Sequence, residues 1–203
     1  MIRAFLAVEF DAALRSALSQ FQQDLKRQIC QDTSKAIRIS WVQPESIHLT
    51  IKFLGDMDEQ MIDPLRAAVT RLAPAYSAIQ VPVERVGAFP HPQQPRVLWV
   101  GPSERWERSD AGKGLVSLHR AIEDCCHSFG FQPEGRPFSP HVTIARVKGG
   151  ERVVGQALVK SGVMDRPLSL GFPVKAVTLM KSDLRPSGPT YTQLWNSPVP
   201  TEG

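Results

Sequence analysis

The sequence predicts an α+β protein: bilobal, with two pseudo-symmetric, mainly antiparallel sheets, helices on the outside and a central cleft. Strand-type alternation and helical three-to-four spacing interchange along the chain, yet several strands are separated only by short, hairpin-like returns. One motif occurs twice: Ser46-Ile47-His48-Leu49-Thr50-Ile51 and Ser139-Pro140-His141-Val142-Thr143-Ile144 share an apolar-flanked His-x-Thr pattern. The two histidines lie 93 residues apart, close to half of the 203-residue chain, as an internal duplication would place them.

The elements follow in order. Residues 2–9 read as a buried strand. Asp11 then stands where a helix N-cap belongs, and Leu14, Leu18, Phe21, Leu25 and Ile29 recur at helical spacing, with Lys26 and Arg27 on the polar face. A polar loop over 31–35 leads to a short strand over 37–42, and the Gln43-Pro44-Glu45-Ser46 turn delivers the first His-x-Thr strand, which ends at Gly55. Asp56 or Asp58 caps a second helix carrying Met61, Ile62, Leu65, Val69 and Leu72, closed by Pro74. Residues 78–86 and 96–100 read as strands around a proline-rich loop, 89–95. A third helix over 110–129 turns Leu115, Leu118, Ile122, Cys125 and Phe129 inward. The Gly- and Pro-rich stretch 130–137 precedes the second His-x-Thr strand. A short helix near 151–160 and two strands, 173–182 and 190–195, flanking a hairpin loop at 185–189, complete the chain. No linker divides it, so residues 1–203 read as a single bilobal domain.

Composition narrows the function classes. A chain that is 42% hydrophobic and 22% charged is ordinary for a globular protein. A net charge of +4 fits an anionic partner but does not specify one. Three cysteines, two of them adjacent (Cys125, Cys126) with Cys30 apart, suggest reduced thiols, and the N-terminal apolar run ends too early at Glu9 for a signal peptide or membrane span. A cytoplasmic monomer with no membrane contact is expected. There is no P-loop and no Rossmann glycine fingerprint, which argues against nucleotide-triphosphate-driven ligation.

The motif carries the chemistry. On a strand, successive side chains point to opposite faces, so His48 with Thr50, and His141 with Thr143, share the face away from Leu49, Ile51, Val142 and Ile144. Two such strands side by side set two imidazoles and two hydroxyls around one cavity. Histidine serves as acid or base near neutral pH. One on each side of a phosphorus divides proton donation to the leaving oxygen from proton removal at water, with the threonines donating to phosphate oxygens. His91, His119 and His127 read instead as exposed or packing residues, and the four tryptophans as core or rim. Lys52 has the parity of His48 and Thr50 but reads as a solvated lysine at a strand end. No carboxylate or cysteine stands at ligand spacing from His48 and His141, so neither metal nor cofactor is expected.

Paired strands of this kind resemble the two-histidine (2H) phosphoesterase superfamily, and within it the bacterial and archaeal RNA 2′,3′-cyclic phosphodiesterases, also described as 2′-5′ RNA ligases. Arg3-Ala4-Phe5-Leu6-Ala7-Val8, His48 to Gly55, the Phe89-Pro90 loop leading to Pro95-Arg96-Val97-Leu98-Trp99-Val100-Gly101, and His141 to Arg146 are all similar to that branch. The resemblance implies metal-free hydrolysis of RNA 2′,3′-cyclic phosphate ends to 2′-phosphomonoesters. It implies His48 as proton donor, His141 as proton acceptor, and Thr50, Thr143 and Arg146 on the phosphate; the residues alone leave acid and base interchangeable. Strict alternation places Arg146 opposite His141, so it reaches the cleft only if the strand ends or bulges after Ile144. Three readings compete with this one: another 2H activity on cyclic nucleotides or 2′-5′ linkages, ligation included; a non-catalytic RNA-end-binding module; and a purely structural repeat, which leaves two histidines and two threonines on one face without a reason.

Overall fold

The computed structural model describes residues 1–31, 37–76, 79–185 and 188–200. Its elements are β1 (Ile2–Glu9), α1 (Ala12–Gln31), β2 (Arg38–Trp41), β3 (His48–Met57), α2 (Ile62–Leu72), β4 (Gln80–Val83), β5 (Arg85–Phe89), β6 (Val97–Gly101), α3 (Glu104–Glu107), α4 (Asp110–Ser128), β7 (Val142–Gly149), α5 (Glu151–Ser161), β8 (Leu170–Pro173), β9 (Ala176–Arg185) and β10 (Gly188–Pro198). The expected 31–35 loop lies almost wholly outside the described residues, as does the tip of the 185–189 loop.

The α+β class and the antiparallel, two-lobed architecture are as expected. One half of the main sheet runs β10-β9-β1-β3, and the other is β7-β6-β5 with β2 added on β7. The halves touch at one register point, Leu49 opposite Val142, in the middle of the two His-x-Thr motifs. So narrow a junction lets each half keep its own twist while bringing the motifs side by side. The halves are not contiguous in sequence, because β2 joins β7 in the second half while C-terminal β9 and β10 complete the first.

Helices cover one face. The Asp11 carboxylate accepts from the Leu14 amide at 2.9 Å and caps α1, whose Leu14, Leu18, Leu25 and Ile29 are buried. The second helix opens through a 3₁₀ turn capped by Asp58, not Asp56. In α4 the buried thiol is Cys126, with Cys125 half-buried at the margin. Burial among apolar side chains pushes the Cys126 thiol up to about 12, so it remains protonated and inert. The strand expected over 78–86 is in fact two strands: β4 pairs with β8 in a separate two-stranded sheet, and β5 joins the main sheet. Glu84 makes the break: its amide bonds Gly101 O, its carbonyl accepts from Leu168, and its carboxylate accepts from the Ser103 amide. The strand expected over 173–182 is displaced three residues to Ala176–Arg185, because Pro173 ends β8 instead, and only β10 runs longer than the expected 190–195. Among the described residues no helix is long and apolar enough to cross a membrane.

Candidate active site

On the face away from the helices the two halves enclose a cavity of about 270 Å³ lined by His48, Thr50, His141, Thr143 and Arg146 among others. The motif strands deliver the first four by simple alternation, with Leu49, Ile51, Val142 and Ile144 buried on the other side. Arg146 needs a bulge, and the pairing contains one. Against β6, Ala145 pairs with Leu98 but Thr143 pairs with Trp99, so Ile144 is the extra residue. Ile144 and Ala145 are both buried, and Arg146 is turned back to the side of His141.

The first motif bulges at the equivalent position. Thr50 pairs with Ala7 and Lys52 with Leu6, leaving Ile51 unpaired. Phe53, five residues after His48 as Arg146 is after His141, therefore lines the cavity from the opposite half. The same bulge sends Lys52 into the interior, where it is 0% exposed, so it is neither beside His48, as parity placed it, nor the solvated strand-end lysine that was expected. Its ammonium lies 2.8 and 2.9 Å from the two Glu123 oxygens and 2.9 Å from the Gln132 carbonyl. Those three acceptors satisfy its three protons.

Each imidazole is fixed in the same way. His48 Nδ1 lies 2.8 Å from Ser46 O, and His141 Nδ1 lies 2.8 Å from Ser139 O. A carbonyl can only accept, so both Nδ1 atoms carry the proton and Nε2 is left for chemistry. At His48 the Thr50 hydroxyl lies 3.1 Å from that Nε2 and donates to it while the ring is neutral. Aromatic rings hold both imidazoles. Phe5 stacks on His48 at 4.8 Å with Tyr191 edge-on at 5.2 Å, and Phe89 meets His141 edge-on at 5.0 Å. Burial, offset in part by the bond to Ser46 O and reinforced by the nearby Arg146 guanidinium, pushes His48 down from 6.5 to about 4. Burial and Arg146 lower His141 as well, against the bond to Ser139 O. Both rings are neutral at pH 7 when the cavity holds no anion.

The other histidines lie apart from the cavity. His91 and His127 are exposed, and His119 is buried in a stack on Phe138 at 4.1 Å. The described residues lining the cavity offer no carboxylate or thiol beside the imidazoles. No group of three or more His, Cys, Asp or Glu suited to a metal occurs among the described residues.

Sequence reasoning missed Phe53, Tyr191, Trp41 and Phe89 in the lining. Phe53 was within reach of a residue-by-residue superposition of the two motifs; Tyr191 carries no local signal. Gln22 was also missed. This buried α1 side chain donates to Val42 O at 2.9 Å and to Ile144 O, the bulge carbonyl, at 2.7 Å. Gln22→Leu leaves those carbonyls short of a donor, and a loss of about 1–3 kcal/mol is expected in urea unfolding. An unchanged midpoint would show that the bulge stands without it.

The comparisons with known proteins define the class. The family model of the 2′-5′ RNA ligase superfamily matches residues 14–186. The chain belongs to that superfamily, and with it to the 2H phosphoesterases. It is 32% identical over 193 residues to a Methanothermobacter thermautotrophicus protein named RNA 2′,3′-cyclic phosphodiesterase, covering 95% of this chain and 96% of that one. An Aeropyrum pernix protein of the same name is 33% identical over 168 residues, covering 80% and 87%. Among solved structures, a protein of Thermus thermophilus matches over the whole of both chains with a TM-score of 0.74 and 25% identity. E. coli LigT complexed with 3′-AMP, 22% identical over 98% of both chains with a TM-score of 0.73, shares the fold.

Proposed function

We propose that this chain, working as one bilobal domain, is a metal-independent phosphodiesterase that opens RNA 2′,3′-cyclic phosphate ends to 2′-phosphomonoesters. The observation that carries the reading is the pair of imidazoles with fixed tautomers, whose Nε2 atoms are left to one cavity beside one guanidinium. His141 Nε2 takes a proton from water as the water oxygen bonds to phosphorus. The bond from phosphorus to the 3′-oxygen breaks, and a protonated His48 Nε2 gives that oxygen its proton. Thr50, Thr143 and Arg146 bind the non-bridging oxygens and the charge that builds on them. The relatives' names and the intact motifs support the substrate class, and the family resemblance supports the acid and base roles.

The test is turnover of an RNA oligonucleotide ending in a 2′,3′-cyclic phosphate, in EDTA, with the product identified. A 2′-phosphate is expected. Turnover abolished by EDTA would overturn the metal-free mechanism, and no turnover at all would move the reading to another 2H substrate or to end binding.

The lowered imidazoles predict an unusual pH dependence. The kcat/KM profile reports the free protein, so its bell lies below pH 6.5, with one limb set by His48 near 4. A bound phosphodiester anion favours the charged imidazole and raises both groups, so the kcat bell is displaced to higher pH. Initial rates across pH at low and saturating substrate check this. Superimposable bells, or a flat rate over pH 5–9 with chemistry limiting, would count against it.

A further inference from the structure

Aromatic and apolar side chains line both banks of the cavity, with Trp41, Phe89 and Val97 on the second half. On the first half Phe53, Pro189 and Tyr191 line it, and Phe53 at 57% and Leu184 at 70% are among the most exposed large apolar side chains of the protein. On the second half the lining continues outward as a basic surface. Arg146 and its cross-strand partner Ser40 both line the cavity. Arg38, two residues before Ser40 on β2, takes the same face by alternation. A further irregularity makes Lys148 an extra residue on β7: Ile39 pairs with Val147 but Arg38 with Gly149. Lys148 is exposed there, and Arg38 donates to its carbonyl at 3.2 Å. The Arg38 guanidinium lies across Gly149, its Nε 3.1 Å from where a Cβ would stand, so a glycine is what lets it lie flat on the sheet. Among the described side chains Arg38 and Lys148 have no carboxylate partner within ion-pairing distance, whereas Arg15, Arg85 and Arg108 each have one. At about 3.3 Å per residue, Lys148 sits about 7 Å beyond Arg146, the scale of one nucleotide step along an extended strand.

We propose that this β2–β7 bank is the track for the RNA upstream of the reacting end, with Arg38 and Lys148 neutralising the first backbone phosphates beyond Arg146. A groove that combines cations for the backbone with aromatic faces for the bases is the pattern by which single strands are held without base-specific readout. The inference rests on the phosphodiesterase reading and deepens it: the chain discriminates oligonucleotide ends from free mononucleotide cyclic phosphates, and does so through residues outside the catalytic cavity.

The experiment compares kcat/KM on a six-nucleotide RNA with a 2′,3′-cyclic phosphate end and on adenosine 2′,3′-cyclic phosphate. The parent is set beside Arg38→Gln/Lys148→Gln, the charge-retaining Arg38→Lys/Lys148→Arg, and Arg66→Gln/Arg71→Gln on the outer helix α2. The first variant is expected to lose roughly tenfold on the hexamer and less than about twofold on the mononucleotide, while the other two match the parent. In a salt titration its log-log slope is expected to be shallower by about 1.4, two single-strand phosphate contacts' worth. Equal loss on both substrates, no loss on the hexamer, or the same loss in the α2 variant overturns the track. So does a hexamer-specific loss in Arg3→Gln instead, because Arg3 lies near Tyr191 on the opposite half. If the parent turns over neither substrate, the phosphodiesterase reading fails by itself. The track is then read from anisotropy of a labelled hexamer ending in a 2′-phosphate, where the same variant must bind more weakly with the same change of slope, and equal binding overturns it.

Discussion

His48→Ala and His141→Ala each lower kcat by about 10²–10⁴ on an RNA 2′,3′-cyclic phosphate end, and the double variant falls little further than the worse single one. The reason lies in the division of labour. Once water attack has no base, a remaining acid has no developing leaving group to protonate, and the reverse holds as well. Single-turnover rates with the folded state checked by circular dichroism measure this. Losses that simply multiply would show that the imidazoles act independently, and activity retained in either variant would remove that histidine from the mechanism. The same variants carry a stability signature. His48 is held near 4 in the folded protein against 6.5 unfolded. As pH falls through 6.5 the unfolded chain binds a proton that the folded chain refuses, so stability is lost between about pH 6.5 and 4 and is unaffected above. His48→Ala removes that term, and its unfolding free energy depends less steeply on pH in that window than the parent's does.

The parts of this site that were legible in the sequence are those set by a period of two. His48 with Thr50 and His141 with Thr143 come to one face because two strands alternate, and the repeat pointed to their meeting. What defeats the reading is the one-residue slip. A bulge at Ile51 inverts every position after it, so Lys52, which parity puts beside His48, is buried on the other side. The matching bulge at Ile144 carries Arg146 into the cavity instead of out of it. Neither bulge is local: the second takes a donor from Gln22, 122 residues earlier, and one strand's periodicity cannot contain that bond. Topology hides for a similar reason. The sequence halves look like a duplication, but β2 and the β9–β10 pair cross to opposite lobes, and strand partners separated by most of the chain leave no mark on their own alternation.

Lys52 gives the largest stability effect expected. Its ammonium is wholly enclosed, the Glu123 side chain is only 12% exposed, and the pair joins the first motif strand to α4. Gln132 O and the Glu134 amide, which lies 3.3 Å from a Glu123 oxygen, bring in the 130–137 segment that leads to Ser139 and His141. Removing one member of a buried pair leaves the other charged and desolvated, which costs about 3–5 kcal/mol. Lys52→Ala should therefore lower the melting temperature by roughly 10 °C, about 2–4 °C per kcal/mol for a chain of this size. Because Lys52→Ala also opens a cavity, the decisive comparison is Lys52→Met against Lys52→Met/Glu123→Leu. With both charges gone no ion is stranded, so the double variant should recover much of what the single one loses. A double variant no more stable than Lys52→Met would mean that the polar anchoring of Gln132 and Glu134, and not the stranded carboxylate, sets the cost. A Lys52→Ala midpoint within about 1 kcal/mol of the parent would mean that water reaches Glu123 and the interior pair contributes little.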